Sequence, residues 1–123
     1  MKTADWYFDI ISPYAYFQLE ALIQYQEQDP TFQVNPKPIL FAGLLNHWEH
    51  KGPAEIPQKR VFTYRYVHWL AKQKKIPFCF PEQHPFNPIK LLRLSLLCSD
   101  LTSLRKLFQF VWKEGKSSDD PDA

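Results

Sequence analysis

The feature that most constrains this chain is a change of apolar period at Ser12, within the segment WYFDIISPYAYFQLEAL at residues 6–22. Up to Ile11 the apolar residues occupy both consecutive and alternate positions, which is typical of a strand buried on both faces. After Pro13 they recur at three- and four-residue steps, which predicts a helix up to about Glu27. The chain is therefore predicted to begin as a strand that turns directly into a helix.

A second extended segment, TFQVNPKPILF at residues 31–41, follows this helix and contains prolines that favour strand ends or a sheet edge. Strand, helix and strand in this order predict a parallel βαβ unit. Residues 42–58 are interpreted as a loop, because glycines and prolines punctuate them. Three further helices are expected: one over residues 58–75, one opened by Asn87 and Pro88 and running through Leu96 and Leu97, and one capped by Asp100 or Thr102 and stopped by Gly115.

Two strand candidates are too few for a sheet that is stable by itself. We therefore expect residues 1–40 to be the N-terminal βαβ part of a larger domain and residues 41–123 to form a loop and helical insertion. The remaining strands of such a domain are expected to lie outside these 123 residues. An unpaired strand edge also predicts a homodimer or association with another chain through that edge.

The composition excludes several classes of function. A net charge of +2, without a ladder of basic and aromatic residues, gives no reason to expect nucleic-acid binding. Because no apolar run reaches 18 residues and Asp5 and Asp9 interrupt the apolar N-terminal stretch, neither a membrane span nor a signal peptide is predicted. Cys79 and Cys98 match neither a zinc site nor a redox Cys-x-x-Cys motif, and are interpreted as core or near-core thiols of a cytoplasmic protein.

Ser12 has two interpretations at this stage. Capping the helix is the commonest reason for a serine at such a corner. The unpaired amides and the dipole of the first helical turn would also stabilise an anion such as a thiolate, to which the hydroxyl would donate a hydrogen bond. Residue types alone leave both interpretations open.

The segment FDIISPYAYFQLEAL, together with FAGLLNHWEHKGPAEIPQKR and IPFCFPEQHPFNP, resembles the 2-hydroxychromene-2-carboxylate isomerases and their relatives the kappa-class glutathione transferases. Both groups belong to the DsbA-like branch of the thioredoxin superfamily, which commonly carries Cys-Pro-x-Cys at the strand-to-helix corner. Here those four positions are Ser12, Pro13, Tyr14 and Ala15. The resemblance implies an α/β, thioredoxin-like (DsbA-like) fold with a βαβ start and a helical insertion. It also implies that the C-terminal half of the fold, with its βββ/α part, is missing from this chain.

The same resemblance implies a glutathione-dependent isomerase, in which the glutathione thiolate adds reversibly to an aromatic-derived electrophile during aromatic breakdown. Ser12 is the implied catalytic residue, as a thiolate stabiliser. Ser12, Pro13 and Tyr14 are the implied contacts to glutathione. A kappa-type glutathione transferase and an inactive, truncated thioredoxin-like fragment remain open as alternatives.

Three further polar side chains are candidates to contact the small-molecule substrate. Asn46 and His47 follow the second strand, near the expected site, although a solvated loop explains them equally simply. The resemblance places His84 where the family tends to put a substrate-contacting residue. The spacing of His47, His50 and His84 matches no ligand motif, so no metal site is predicted.

Overall fold

A parallel strand pair begins the fold, as the sequence predicts. In the computed structural model, which describes residues 2–117, β1 (Lys2–Phe8) pairs with β2 (Phe32–Pro38). The register runs from Lys2 opposite Phe32 to Phe8 opposite Pro38. Helix α1 (Pro13–Gln28) connects the two strands. The predicted βαβ unit is therefore confirmed.

The rest of the described chain is mainly helical. Its elements are α2 (Phe41–His47), a 3-10 turn (Pro53–Glu55), α3 (Pro57–Lys74), α4 (Ile89–Ser95) and α5 (Leu101–Trp112). Asp100 caps α5, since its Oδ1 accepts a hydrogen bond from the backbone N–H of Ser103 at 2.7 Å. The helix predicted over residues 58–75 is confirmed by α3, and of the two caps expected for α5, Asp100 and Thr102, the structure has Asp100.

One apolar core joins the strands to the helices. Trp6 and Phe8 of β1 lie with ring centroids 5.0 Å apart, and Phe8 lies 5.7 Å from Phe108 of α5. Leu104 and Val111, on the same side of α5, are completely buried. Burying one such side chain stabilises the fold by about 1.5–3 kcal/mol. Residues before and after residue 40 thus share this core. The division into a βαβ part (residues 1–40) and a loop and helical insertion (residues 41–123) stays a prediction.

An ion pair fixes α1 on α5. The Arg105 Nε and Nη2 atoms donate to the two carboxylate oxygens of Glu20 at 2.7 and 2.8 Å. Nearby, the Tyr16 hydroxyl donates to the Pro77 carbonyl at 2.8 Å and so holds the segment after α3. These contacts set the orientation of α1, and therefore of the corner from which it starts.

The prediction of a loop over residues 42–58 is wrong in part, because residues 41–47 form α2. The residue before this helix is Leu40, which offers no side-chain cap. Instead, the Asp9 carboxylate accepts the hydrogen bond of the Phe41 N–H at 2.8 Å. A cap that comes from 32 residues away leaves no local signal in the sequence.

The first strand also differs from its prediction. It ends at Phe8 and does not continue to Ile11, because Asp9 forms a turn in which its Oδ1 accepts from the Ile11 N–H. Only one face of β1 is buried within the described residues, since Tyr7 is 59% exposed between the buried Trp6 and Phe8. The prediction that both faces are buried is not met here.

Helix α4 is shorter than the sequence predicts. It ends at Ser95, because the backbone N–H groups of Leu96 and Leu97 donate to carbonyls three residues earlier, those of Arg93 and Leu94. Both of these leucines are therefore exposed, and the prediction that they extend the buried stripe is wrong. The start of α4 is displaced by one residue: Pro88 is the N-cap, and Asn87 Oδ1 accepts from the Ile89 N–H.

The cysteines share no disulfide. Cys98 is half-buried, in agreement with a near-core thiol, but Cys79 is exposed. The interpretation of Cys79 as a core residue is therefore wrong. Its neighbours Phe78 and Phe80 point towards Trp112 instead, with ring centroids 5.8 and 6.0 Å from it.

Candidate functional site

Ser12 lies at the corner between β1 and α1, in extended backbone geometry (φ −98°, ψ 120°). Its Oγ accepts a hydrogen bond from the Ala15 N–H at 3.3 Å, and Pro13 occupies the first turn. The prediction that Ser12 caps α1 is confirmed. Because Oγ accepts this bond, its own O–H remains a donor that can serve an anion at the positive end of the helix.

A cavity of about 250 Å³ opens beside this corner. Its lining includes Ser12, Pro13 and Tyr14 at the start of α1, together with residues of α2 and of the 3-10 turn. Tyr64 of α3 and His84 of the following loop also line it. Apolar atoms make up most of the lining, so a hydroxyl or imidazole here acts in surroundings of low polarity.

A second cavity of about 240 Å³ lies on the other side of the same corner. It is bordered by the end of β1 and shares Ser12, Tyr14 and Phe41 with the first. Ser12 therefore borders both cavities.

The predicted site residues divide into two groups. Ser12, Pro13, Tyr14 and His84 all line the first cavity, although His84 lies 70 or more residues further along the chain than the other three. Asn46 and His47 lie on α2, are exposed and do not line either cavity; the His47 ring instead contacts Trp48, with centroids 4.9 Å apart. A substrate contact by Asn46 or His47 remains a prediction.

His84 is held at both ring nitrogens. Its Nε2 lies 2.7 Å from the Ile11 carbonyl oxygen, which can only accept, so Nε2 carries the proton. Nδ1 is then the acceptor and lies 2.5 Å from the Tyr64 hydroxyl. Burial lowers the pKa of His84; the Ile11 hydrogen bond opposes this, and the Arg60 guanidinium adds to it. His84 is therefore neutral at pH 7.

The backbone just before Ser12 is fixed from a second direction. The indole N–H of Trp112, which is fully buried, donates to the Ile10 carbonyl at 2.8 Å. Two successive carbonyls, those of Ile10 and Ile11, are thus bound by side chains from the C-terminal half of the chain. This restrains the peptide groups that orient Ser12.

Sequence reasoning missed two residues of the site. Tyr64 lies within the helix predicted over residues 58–75, and nothing local in the sequence links it to His84. Asp9 is buried and joins the corner to α2 through the Ile11 and Phe41 amides at 3.1 and 2.8 Å. Burial raises the pKa of Asp9 above its ordinary 3.8, against the two amide hydrogen bonds, which lower it. A charged residue interrupting a buried apolar run was the signal available for Asp9.

Within residues 2–117 no group of three His, Cys, Asp or Glu side chains is arranged to hold a metal ion. In the same range no helix has both the length and the apolar content required to cross a membrane.

The sequence matches the DSBA-like thioredoxin domain over residues 3–123. The chain belongs to this family. The family assignment agrees with the βαβ start and with the helix that begins at Ser12. It also confirms the thioredoxin-like, DsbA-like fold class that the resemblance implies.

Among curated proteins, members of the kappa class are similar to this DsbA-like chain. Glutathione S-transferase kappa 2 of Caenorhabditis elegans is 33% identical over 84 residues, which cover 68% of this chain and 37% of that protein. Human glutathione S-transferase kappa 1 is 26% identical over 83 residues, covering 66% of this chain and 35% of that protein. The chain thus matches little more than a third of these relatives' length, in their N-terminal part.

A solved structure of a 2-hydroxychromene-2-carboxylate isomerase superposes with a TM-score of 0.79. The superposition covers 96% of this chain and 60% of the isomerase chain, at 20% sequence identity. At this identity the likeness shows a shared fold alone. It covers both the βαβ unit and the helices that follow it.

Proposed function

We propose that this chain carries the thiolate-stabilising part of a cytoplasmic, glutathione-dependent isomerase of the 2-hydroxychromene-2-carboxylate type. The observation that carries the proposal is the Ser12 hydroxyl, which stands at the N-terminus of α1 and in the wall of an apolar cavity. The thiol group of glutathione fits these residues, because the first turn of α1 and the Ser12 hydroxyl both favour its thiolate form.

Glutathione, when bound, would supply a thiolate that adds reversibly to an electron-poor carbon of an aromatic-derived substrate. Ser12 would donate its O–H to the sulfur and lower the pKa of the thiol, while Pro13 and Tyr14 would contact the rest of the molecule. The apolar cavity would hold the aromatic substrate and exclude water, which strengthens the Ser12 hydrogen bond. His84, and from the exposed face of α2 Asn46 and His47, are the proposed substrate contacts.

A second candidate is a kappa-type transferase, which would conjugate glutathione instead of releasing it. The sequence comparisons favour it, since the kappa protein of Caenorhabditis elegans is 33% identical and the isomerase structure only 20% identical to this chain. Both candidates use the same thiolate at Ser12. They differ in whether the sulfur leaves the product.

The proposal is tested by the pKa of the bound thiol and by Ser12→Ala. One hydrogen bond to a charged group contributes about 1.5–3 kcal/mol, so Ser12→Ala should raise that pKa by about one to two pH units. Asp100→Ala is the matched control, because it also removes a helix N-cap, that of α5, but lies outside both cavities. We expect it to lose stability like Ser12→Ala, about 1 kcal/mol, and to leave the thiol pKa unchanged.

An ultraviolet titration of thiolate absorbance with glutathione measures this directly. Equal pKa values in the unsubstituted protein and in Ser12→Ala would remove Ser12 from the chemistry. If the chain neither binds immobilised glutathione nor shows bound thiolate, the inactive-fragment alternative holds. Parallel isomerisation and conjugation assays then distinguish the two enzymatic candidates by whether glutathione is consumed.

A further inference from the structure

The pair of Tyr64 and His84 lines the same cavity as Ser12, and the proposed function uses only His84, as a substrate contact. The backbone fixes the tautomer of His84 in this pair. The Ile11 carbonyl takes the Nε2 proton, which leaves a lone pair on Nδ1 facing the Tyr64 hydroxyl at 2.5 Å. The Tyr64 hydroxyl also lies 3.2 Å from the His84 carbonyl oxygen, but its shorter contact is to Nδ1, so its hydrogen has a base within reach. The oxygen of Tyr64 keeps lone pairs that can accept a further hydrogen bond.

We infer that Tyr64 and His84 form a relay that accepts the proton of a thiol bound at Ser12; this inference rests on the proposed function. The Tyr64 oxygen takes the thiol proton as its own proton passes to Nδ1 of His84. The electron pair of the S–H bond stays on sulfur. The products are a thiolate and an imidazolium whose two N–H groups are bound by Tyr64 and by the Ile11 carbonyl. The proton returns by the same route when the sulfur is released.

The surroundings of the pair are consistent with this role. Burial lowers the pKa of His84 and so keeps it unprotonated before a thiolate forms; Arg60 of α3, which lies over the Tyr64 ring at 5.1 Å from its centroid, adds to this effect. Glu55 is the carboxylate of the cavity lining, but its Oε2 already accepts from the Gly52 N–H at 3.0 Å. The Tyr14 phenol lies in the same wall, and burial raises its pKa above 10.0, so it stays neutral at pH 7. His84 is thus the base in this cavity with a lone pair directed along a hydrogen bond.

The relay predicts that the thiol proton stays on His84, so the number of protons released per thiolate formed tests it. We would measure thiolate by ultraviolet absorbance and proton release by calorimetry of glutathione binding in buffers of different ionisation enthalpy. In the unsubstituted protein, thiolate should form with well under one proton released per thiolate, because the proton stays on His84. An imidazolium close to the sulfur should also raise the thiolate fraction at pH 7 by about tenfold or more.

Two variants separate this role from a structural one. His84→Gln keeps an N–H donor for the Ile11 carbonyl but removes the base, and Tyr64→Phe removes the connecting hydroxyl without touching the His84–Ile11 bond. We expect both to lose about tenfold in thiolate at pH 7 and to release one full proton for each thiolate that still forms. The matched controls His68→Gln and Tyr25→Phe, both at exposed positions outside the two cavities, should leave both readouts unchanged.

Each outcome decides the matter. Thiolate that forms in the unsubstituted protein with one proton released, or that is unchanged in both variants, would overturn the relay and leave the role of Ser12 intact. If no thiolate forms in the unsubstituted protein, the proposed function and the relay both fail. If His84→Gln does not fold, Tyr64→Phe alone gives the answer, since it leaves the bond to Ile11 in place.

Discussion

The ion pair between Glu20 and Arg105 should show a strongly asymmetric response to removal of its two partners. The Glu20 side chain is 11% exposed, whereas that of Arg105 is 40% exposed, and two hydrogen bonds of 2.7 and 2.8 Å join them. Arg105→Met leaves a carboxylate without its partner in the packed interface of α1 and α5. Glu20→Leu leaves a guanidinium that can turn towards water.

The magnitudes follow from these exposures. Breaking a fully buried pair costs about 3–5 kcal/mol, but solvent screening at the Arg105 end reduces this to about 2–3 kcal/mol for Arg105→Met. Glu20→Leu should cost no more than about 1 kcal/mol, because it leaves no buried charge. The double variant should resemble Glu20→Leu, since the charge that Arg105→Met leaves unpaired is then absent.

Urea unfolding of the four proteins, followed by circular dichroism, measures the three differences in the free energy of unfolding. If Arg105→Met and Glu20→Leu cost the same, or if their effects simply add in the double variant, the pair does not hold α1 on α5 in the way described. If the slope of the unfolding free energy against urea concentration changes in one variant, its unfolded state has changed, and that variant does not report on the contact alone.

Three further predictions concern the corner and the sheet. Because the pKa of Asp9 is raised in the folded state, this group contributes its full stability below pH 3.8 and loses that contribution as the pH rises through its folded pKa. In Asp9→Asn this part of the pH dependence of the unfolding free energy should vanish. An unchanged pH profile would contradict the prediction. Trp112→Phe leaves the buried Ile10 carbonyl without its donor, so it should cost about 2–4 kcal/mol in thermal or urea unfolding, and a loss below about 0.5 kcal/mol would show that the bond is replaceable. Among residues 2–117, β1 pairs only with β2, so its other edge should cause concentration-dependent association in sedimentation, which Ala4→Lys should reduce; a monomer at all concentrations would refute the edge prediction.

The parts of the fold that depend on local signals were predictable. The change of period at Ser12, with Pro13 in the first turn, located the start of α1 to the residue, and the cap candidates Asp100 and Thr102 located the start of α5 to within two residues. Helix α2 was not predictable in this way, because the group that caps it is the carboxylate of Asp9 and not a neighbour of Leu40. Tyr64 likewise had no local signal, because its partner His84 lies 20 residues further along the chain.

The candidate site shows the same division. Ser12, Pro13 and Tyr14 are adjacent in sequence, so one motif identified all three. His84 was identified by resemblance alone, and its bonds to Ile11 and Tyr64 depend on a chain path that no local pattern encodes. Asn46 and His47 were placed near the site on the assumption of a loop, but a helix carries them on its exposed side.

The two carbonyls before Ser12 have a consequence for how the chain folds. Their donors, Trp112 and His84, lie 102 and 73 residues further along the chain. Contacts of such long sequence separation form late, since the loop between them must close before they contribute. During synthesis from the N-terminus, strand β1 and helix α1 emerge long before the indole that orients the peptide between them. A folding intermediate should therefore hold the βαβ unit with its helix formed, while the peptide groups before Ser12 become fixed only when α5 docks.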